Sequence, residues 1–149
     1  MTPKNTQNKP RILVVEDDAA SRQLMQLLLA EYGDCTFAEN GLNGLELFTQ
    51  ALESDEPFDL VCLDIMMPEL DGLEALNQMR QAEQARDIKT ADGVKVIMVT
   101  TANQQAKTMR AFHYGCNGYL VKPISKDALV KEMNKLPLGR STNAQWRGK

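Results

Sequence analysis

The sequence predicts an α/β fold, a doubly wound sheet of five parallel strands in the order 2-1-3-4-5 with helices on both faces. Three observations lead there. Five short, mainly apolar runs alternate with five stretches of helical apolar spacing. Alternation of that kind implies right-handed crossovers between parallel strands. The runs also end in acids, a hydroxyl or a lysine, which is where sheets of this type build their sites.

Ile12-Leu13-Val14-Val15 reads as strand 1, and from Ala20 the spacing of Leu24, Leu27 and Leu28 reads as helix 1. Cys35-Thr36-Phe37-Ala38 reads as strand 2, and Gly41 opens helix 2, with Leu45, Phe48 and Leu52 on one face. Leu60-Val61-Cys62-Leu63 is strand 3, ended by Asp64, and Leu73, Leu76 and Met79 mark helix 3 beyond the turn from Pro68 to Gly72. Strand 4 runs from Val94 to Val99, with helix 4 suggested by Ala106, Met109 and Phe112. Gly118-Tyr119-Leu120-Val121 is strand 5, and Leu129, Met133 and Leu136 give helix 5 its inner face. The segment from Arg86 to Gly93 exceeds the usual connection of about 2 to 6 residues and is read as a surface loop or an extra helical turn. The strand order is that of the flavodoxin-like winding.

At 149 residues the chain suits one domain, expected over residues 10–138. A polar tail precedes it at 1–9, and a tail at 139–149, with little apolar content beyond Trp146, is expected to be disordered. Apolar residues at 43% and charged residues at 25% are those of a soluble globular protein. No apolar run approaches the roughly 20 residues that span a bilayer. Met1 to Pro10 lack the apolar centre of a secretory signal. Cys35, Cys62 and Cys116 are unclustered and suit reduced thiols in a cytoplasmic fold. A net charge of −3 argues against nucleic acid as a partner. A cytoplasmic location with no nucleic-acid or membrane partner is expected.

In the 2-1-3-4-5 order, a crevice opens beyond the carboxyl ends of strands 1 and 3. Glu16 and Asp17 follow strand 1 and Asp64 ends strand 3, so three carboxylates are expected to meet there. Such a group repels itself unless a cation offsets the charge, and Mg²⁺ (or Mn²⁺) with oxygen ligands and retained waters suits it. Thr100 at the end of strand 4 and Lys122 at the end of strand 5 bring a hydroxyl and a cation suited to a phosphoryl oxygen. The set fits in-line attack of the Asp64 carboxylate on phosphorus to form an acyl phosphate.

Each residue alone has a plainer reading. Asp64 taken singly suits a strand-end cap, Asp18 a helix start, Lys122 a solvated loop, Thr100 a strand position and Tyr119 ordinary packing. His113 lacks a partner at ligand spacing and is read as surface or packing. Met66, Met67, Met79, Met98, Met109 and Met133 are read mostly as core filling.

Four motifs then occur in order: Ile12-Leu13-Val14-Val15-Glu16-Asp17-Asp18, Asp64-Ile65-Met66-Met67-Pro68-Glu69-Leu70-Asp71-Gly72, Val99-Thr100, and Gly118-Tyr119-Leu120-Val121-Lys122-Pro123. On them the chain, from about Lys9 to Leu136, resembles the receiver domain of bacterial response regulators, of the stand-alone chemotaxis-regulator type. The resemblance implies that Asp64 is phosphorylated. It implies that Asp17 binds the metal directly, that Glu16 often acts through water, and that the main-chain carbonyl of Met66 adds a ligand. Lys122 would contact the phosphoryl group, and the bond to Pro123 would be cis. Thr100 and Tyr119 resemble a switch pair whose hydroxyl moves toward the phosphoryl group while the ring turns inward. Output would pass through the face of helix 4, strand 5 and helix 5.

Thr101 stands where a smaller residue usually follows the switch threonine, which is expected to narrow access and slow phosphoryl transfer or hydrolysis. Met66 and Ala102 would line the approach, and neither offers a group to orient attacking water, so a long-lived phosphoryl group is expected. The function expected is that of a single-domain response regulator in a two-component or phosphorelay system. It would take its phosphoryl group from a histidine kinase or histidine phosphotransfer protein, promote its own phosphorylation and dephosphorylation, and signal by protein contact. Three alternatives stay open. One is a receiver module of a hybrid kinase or a phosphorelay intermediate. Another is a Mg²⁺-dependent phosphatase, which would usually carry a second acid where Met66 stands. The last is a flavin carrier, whose phosphate Glu16-Asp17-Asp18 would repel without a metal.

Overall fold

A computed structural model describes residues 9–136. The strands are β1 (Arg11–Val15), β2 (Asp34–Ala38), β3 (Leu60–Asp64), β4 (Lys95–Thr100) and β5 (Gly118–Val121). The helices are α1 (Ala19–Leu29), α2 (Gly41–Glu53), α3 (Gly72–Gln84), α4 (Gln105–Tyr114) and α5 (Lys126–Asn134). All four strand pairings are parallel, and the order is β2-β1-β3-β4-β5. The chain thus has the flavodoxin-like doubly wound architecture. The two predicted tails, Trp146 included, lie outside the described residues apart from Lys9.

Mainly apolar strands feed two cores at once, because successive side chains point to opposite faces. Leu13, Val15, Val61, Leu63, Val96 and Met98 join Phe48, Leu76 and Met79 beneath α2, α3 and α4. Ile12, Val14, Leu60, Cys62, Ile97 and Leu120 join Met25, Leu29, Leu129 and Met133 beneath α1 and α5. Four helices start on a side-chain cap, from Asp18, Asn40, Asp71 and Ser125. Helix α4 does not: its N-cap, Gln104, makes no side-chain capping bond and follows a 3₁₀ turn at Ala102–Gln104. Its other end closes on Gly115 at φ 106°, a left-handed conformation that a Cβ would strain.

The sheet ends lie where the site needs them. Asp64 and Thr100 are the last residues of β3 and β4, while Glu16 and Lys122 follow the last residues of β1 and β5. At Gly72 a Cβ would fall 2.2 Å from the Asp64 carbonyl oxygen, so only glycine lets α3 begin this close to the end of β3.

The helical faces add detail to the sequence reading. Helix α1 buries Met25 and Leu29, leaving Leu24 38% and Leu27 75% exposed. The run Leu27-Leu28-Leu29 offers overlapping rows at helical spacing, and the row that continues Met25 by four residues faces the sheet. Of the methionines read as mostly core, Met67, Met79, Met98 and Met133 are buried, while Met66 is 47% and Met109 73% exposed, with Phe112 beside Met109 on α4 45% exposed. Helix α4 buries Thr108 and Ala111 instead. The segment from Arg86 to Gly93 contains a 3₁₀ turn at Thr90–Asp92, the extra helical turn that was one of its two readings. Leu136 lies beyond the end of α5 and still packs on the second core.

Candidate functional site

Beyond the carboxyl ends of β1 and β3, Glu16, Asp17 and Asp64 each bring a carboxylate oxygen within 4.8 Å of the others. Glu16 and Asp64 are buried and Asp17 is exposed. Lys122 reaches across from the end of β5. Its Nζ lies 3.1 Å from Glu16 Oε1 and 3.4 Å from Asp64 Oδ2. The two buried acids therefore share one ammonium.

Main-chain groups fix the rest. The Met66 amide donates to Asp64 Oδ1 at 3.1 Å, and the Asp18 amide donates to Glu16 Oε2 at 3.2 Å. Asp18 faces the other way, capping α1 through the Ser21 amide at 2.8 Å. Arg22, which the sequence reading passed over, donates from Nη1 to the Glu16 carbonyl at 2.9 Å and ties the acidic loop to α1. An arginine one turn into the helix after an acidic loop is its only sequence signal. The Lys122–Pro123 bond is cis.

The electrostatics follow from this crowding. Burial pushes the Glu16 carboxyl up to about 7, Asp64 beside it adds to the rise, and Lys122 only partly opposes it. For Lys122 burial works against the charge, but Asp64 and Glu16 outweigh it and hold the ammonium above its ordinary value. The site carries more negative charge than its one lysine offsets. A hard cation fits that donor set, because Mg²⁺ takes oxygen ligands at about 2.0 to 2.1 Å in an octahedron whose opposite oxygens are about 4 Å apart. Carboxylate oxygens all within 4.8 Å of one another suit that spacing.

Thr100 is buried, and its hydroxyl donates to the Thr101 carbonyl at 3.2 Å. Tyr119 is registered opposite Met98, two residues before Thr100, so Thr100 and Tyr119 share the α4 face of neighbouring strands. The Tyr119 ring is half-exposed and packs edge-to-face on Phe112 at 6.1 Å. Thr101 and Ala102 are exposed beside the site, and the Thr101 hydroxyl donates to Asn103 Oδ1 at 2.5 Å. His113 is exposed. Cys35, Cys62 and Cys116 are free thiols, and no described helix is long and apolar enough to cross a membrane.

The sheet and the site define a doubly wound α/β domain with an acidic, lysine-bridged pocket at its winding reversal. The model of the response regulator receiver domain matches residues 12–134, and the chain belongs to that family, the receiver domains of two-component response regulators. It is a phosphoacceptor switch by family rather than an ordinary enzyme. Protein PilH of Pseudomonas aeruginosa is 32% identical over 130 residues, covering 87% of this chain and 98% of PilH. Chemotaxis protein CheY of Bacillus subtilis is 33% identical over 128 residues, covering 84% of this chain and 95% of CheY. The receiver domain of Saccharomyces cerevisiae Ssk1, solved with the histidine phosphotransfer signaling protein Ypd1, is 26% identical with a TM-score of 0.73, covering 88% of this chain and 89% of that one. Other relatives are longer, and the chain spans about half the length of two of them, 48% and 52%.

Proposed function

We propose that the protein is a stand-alone switch of a two-component or phosphorelay pathway, phosphorylated on Asp64. The observation that carries this is the single ammonium of Lys122 between the Asp64 and Glu16 carboxylates. That arrangement supplies a nucleophilic oxygen with a cation already beside it for the phosphoryl group to come. PilH and CheY, whose own lengths this chain covers to 98% and 95%, support the stand-alone reading.

Glu16, Asp17, Asp64 and the Met66 carbonyl would hold Mg²⁺ or Mn²⁺, which would supply charge neutralisation on the phosphoryl oxygens. The chain's own residues do the rest. The Met66 amide at Asp64 Oδ1 orients the carboxylate, and its other oxygen attacks phosphorus in line while the donor's bond to phosphorus breaks. Lys122 follows the charge from carboxylate to phosphoryl oxygen. The Thr100 hydroxyl leaves the Thr101 carbonyl for the phosphoryl group, and Tyr119 turns from Phe112 into the vacated space. The added charge of about −1.5 to −2 selects the second arrangement. The chain in this way promotes both gain and loss of its phosphoryl group.

A histidine kinase or histidine phosphotransfer protein is the proposed donor. An apolar cavity of about 330 Å³ lined by Ser21, Leu24, Lys122, Pro123 and Ile124 adjoins the pocket through Lys122, and a donor helix there could bring its histidine to Asp64. Output is proposed through α4, β5 and α5, where Met109, Phe112 and Tyr119 leave apolar surface exposed. We place the protein in the cytoplasm, acting through protein partners rather than nucleic acid or membrane.

The test is intact-protein mass spectrometry after incubation with acetyl phosphate. One phosphoryl adduct that requires Mg²⁺ and is lost in Asp64→Asn supports the reading. Equal uptake by Asp64→Asn overturns it.

A further inference from the structure

Lys107, in the first turn of α4, points its ammonium at the side chain of Met66, two residues beyond Asp64. Its Nζ lies 3.3 Å from the Sδ of Met66, whose own amide holds Asp64 Oδ1 at 3.1 Å. A thioether is a weak acceptor. Among the described residues no carboxylate forms an ion pair with Lys107. Its place is also an awkward one, since a cation in the first turn opposes the helix dipole, and α4 has neither a side-chain cap nor an acid there. A charge so placed gains by meeting an anion.

The pocket acquires that anion on phosphorylation. Three carboxylates face one lysine, and a divalent ion balances the remainder. When Asp64 becomes an acyl phosphate its single charge is replaced by about −1.5 to −2, with three strong acceptor oxygens. Lys122 and Thr100 serve some of those oxygens, and the excess charge remains. Lys107 has a flexible four-carbon stem and starts in contact with the residue two positions beyond Asp64.

We propose that Lys107 is a second cationic contact of the phosphoryl group, leaving Met66 Sδ for a phosphoryl oxygen and so tying α4 directly to the modification. This rests on Asp64 being the phosphoacceptor. It gives α4 a link to the site that is separate from Thr100 and Tyr119 and comes from the helix that carries the exposed Met109 and Phe112. The contact lies near the surface, so its contribution is moderate and falls with added salt.

The experiment is a titration of wild type, Lys107→Gln and Lys107→Arg with beryllofluoride in saturating Mg²⁺, followed by amide NMR, with Mg²⁺ titrated alone as the control. Lys107→Gln is expected to bind beryllofluoride about three- to tenfold more weakly, with smaller shifts along α4, while Lys107→Arg stays within about twofold of wild type. The affinity for Mg²⁺ alone does not weaken in Lys107→Gln. A Lys107→Gln titration that overlays the wild type overturns the role of Lys107 and leaves Asp64 as phosphoacceptor. A wild type that binds no beryllofluoride overturns the phosphoacceptor reading itself.

Discussion

The ammonium of Lys122 stands 3.4 Å from the Asp64 carboxylate although 58 residues separate them in the chain. The contact exists because β5 and β3 flank β4 and both end at the same edge of the sheet. The same ammonium is 3.1 Å from Glu16 Oε1, so removing it strips from two buried acids the only cation paired with them among the described residues. Lys122→Met is expected to slow phosphoryl uptake from acetyl phosphate at least about tenfold, the usual scale for losing one charge-stabilising contact. Uptake at the wild-type rate, followed by mass spectrometry, would assign Lys122 to structure alone.

The raised Glu16 carboxyl predicts how stability varies with pH. Between its ordinary 4.5 and about 7 the folded protein holds a proton that the unfolded chain has released. Stability from this group is therefore full below 4.5 and declines as pH rises toward 7. Divalent cations bind the ionised form, so added Mg²⁺ is expected to raise Tm more near pH 8 than near pH 5. In Glu16→Gln that difference narrows. Scanning fluorimetry with EDTA or Mg²⁺ decides it, and a Mg²⁺-induced rise in Tm that is equal at both pH values contradicts the assignment.

At the β4–α4 junction the Thr101 hydroxyl ties to Asn103 at 2.5 Å. This hydrogen bond steadies the turn that flanks the pocket, so Thr101 restrains the loop as well as adding bulk. Thr101→Ala is expected to speed phosphoryl transfer or hydrolysis about two- to tenfold, the scale of one hydrogen bond. Timing the loss of the phosphoryl adduct checks it, and unchanged rates for both steps remove the idea.

Away from the site, Arg80 and Glu83 form a buried pair at 2.8 Å. Arg80 Nη2 donates to the Gly115 carbonyl at 2.7 Å, and Glu83 Oε2 accepts from the Val94 amide at 2.7 Å. The pair fastens α3 to the end of α4 and the start of β4. Arg80→Leu leaves Glu83 buried without its partner and is expected to cost about 3 to 5 kcal/mol, with Arg80→Leu/Glu83→Leu recovering part of it. Urea denaturation measures both, and a loss under about 1 kcal/mol in the single variant would show the pair to be incidental.

The strand ends were legible because four of the five strand runs stop at an acid, a hydroxyl or a lysine: Glu16, Asp64, Thr100 and Lys122. Period and order were enough to bring these four together. The inward face of α1 was not legible, because Leu24, Leu27, Leu28 and Leu29 fit more than one helical row and only the sheet chooses Met25 with Leu29. Lys107 on Met66, Arg22 on the Glu16 carbonyl and Arg80 on Gly115 were also beyond the sequence. They join side chains to groups whose proximity follows from packing, 41 residues apart in the first case.

The most direct measurement traps the acyl phosphate where it forms. Borohydride reduces an acyl phosphate to an alcohol, so treatment after phosphorylation should convert Asp64 to homoserine in the peptide that contains it. Sequencing by tandem mass spectrometry should find that mark at Asp64, dependent on Mg²⁺. A mark at Asp17 or Asp71 instead, or none after phosphoryl uptake, would contradict the account.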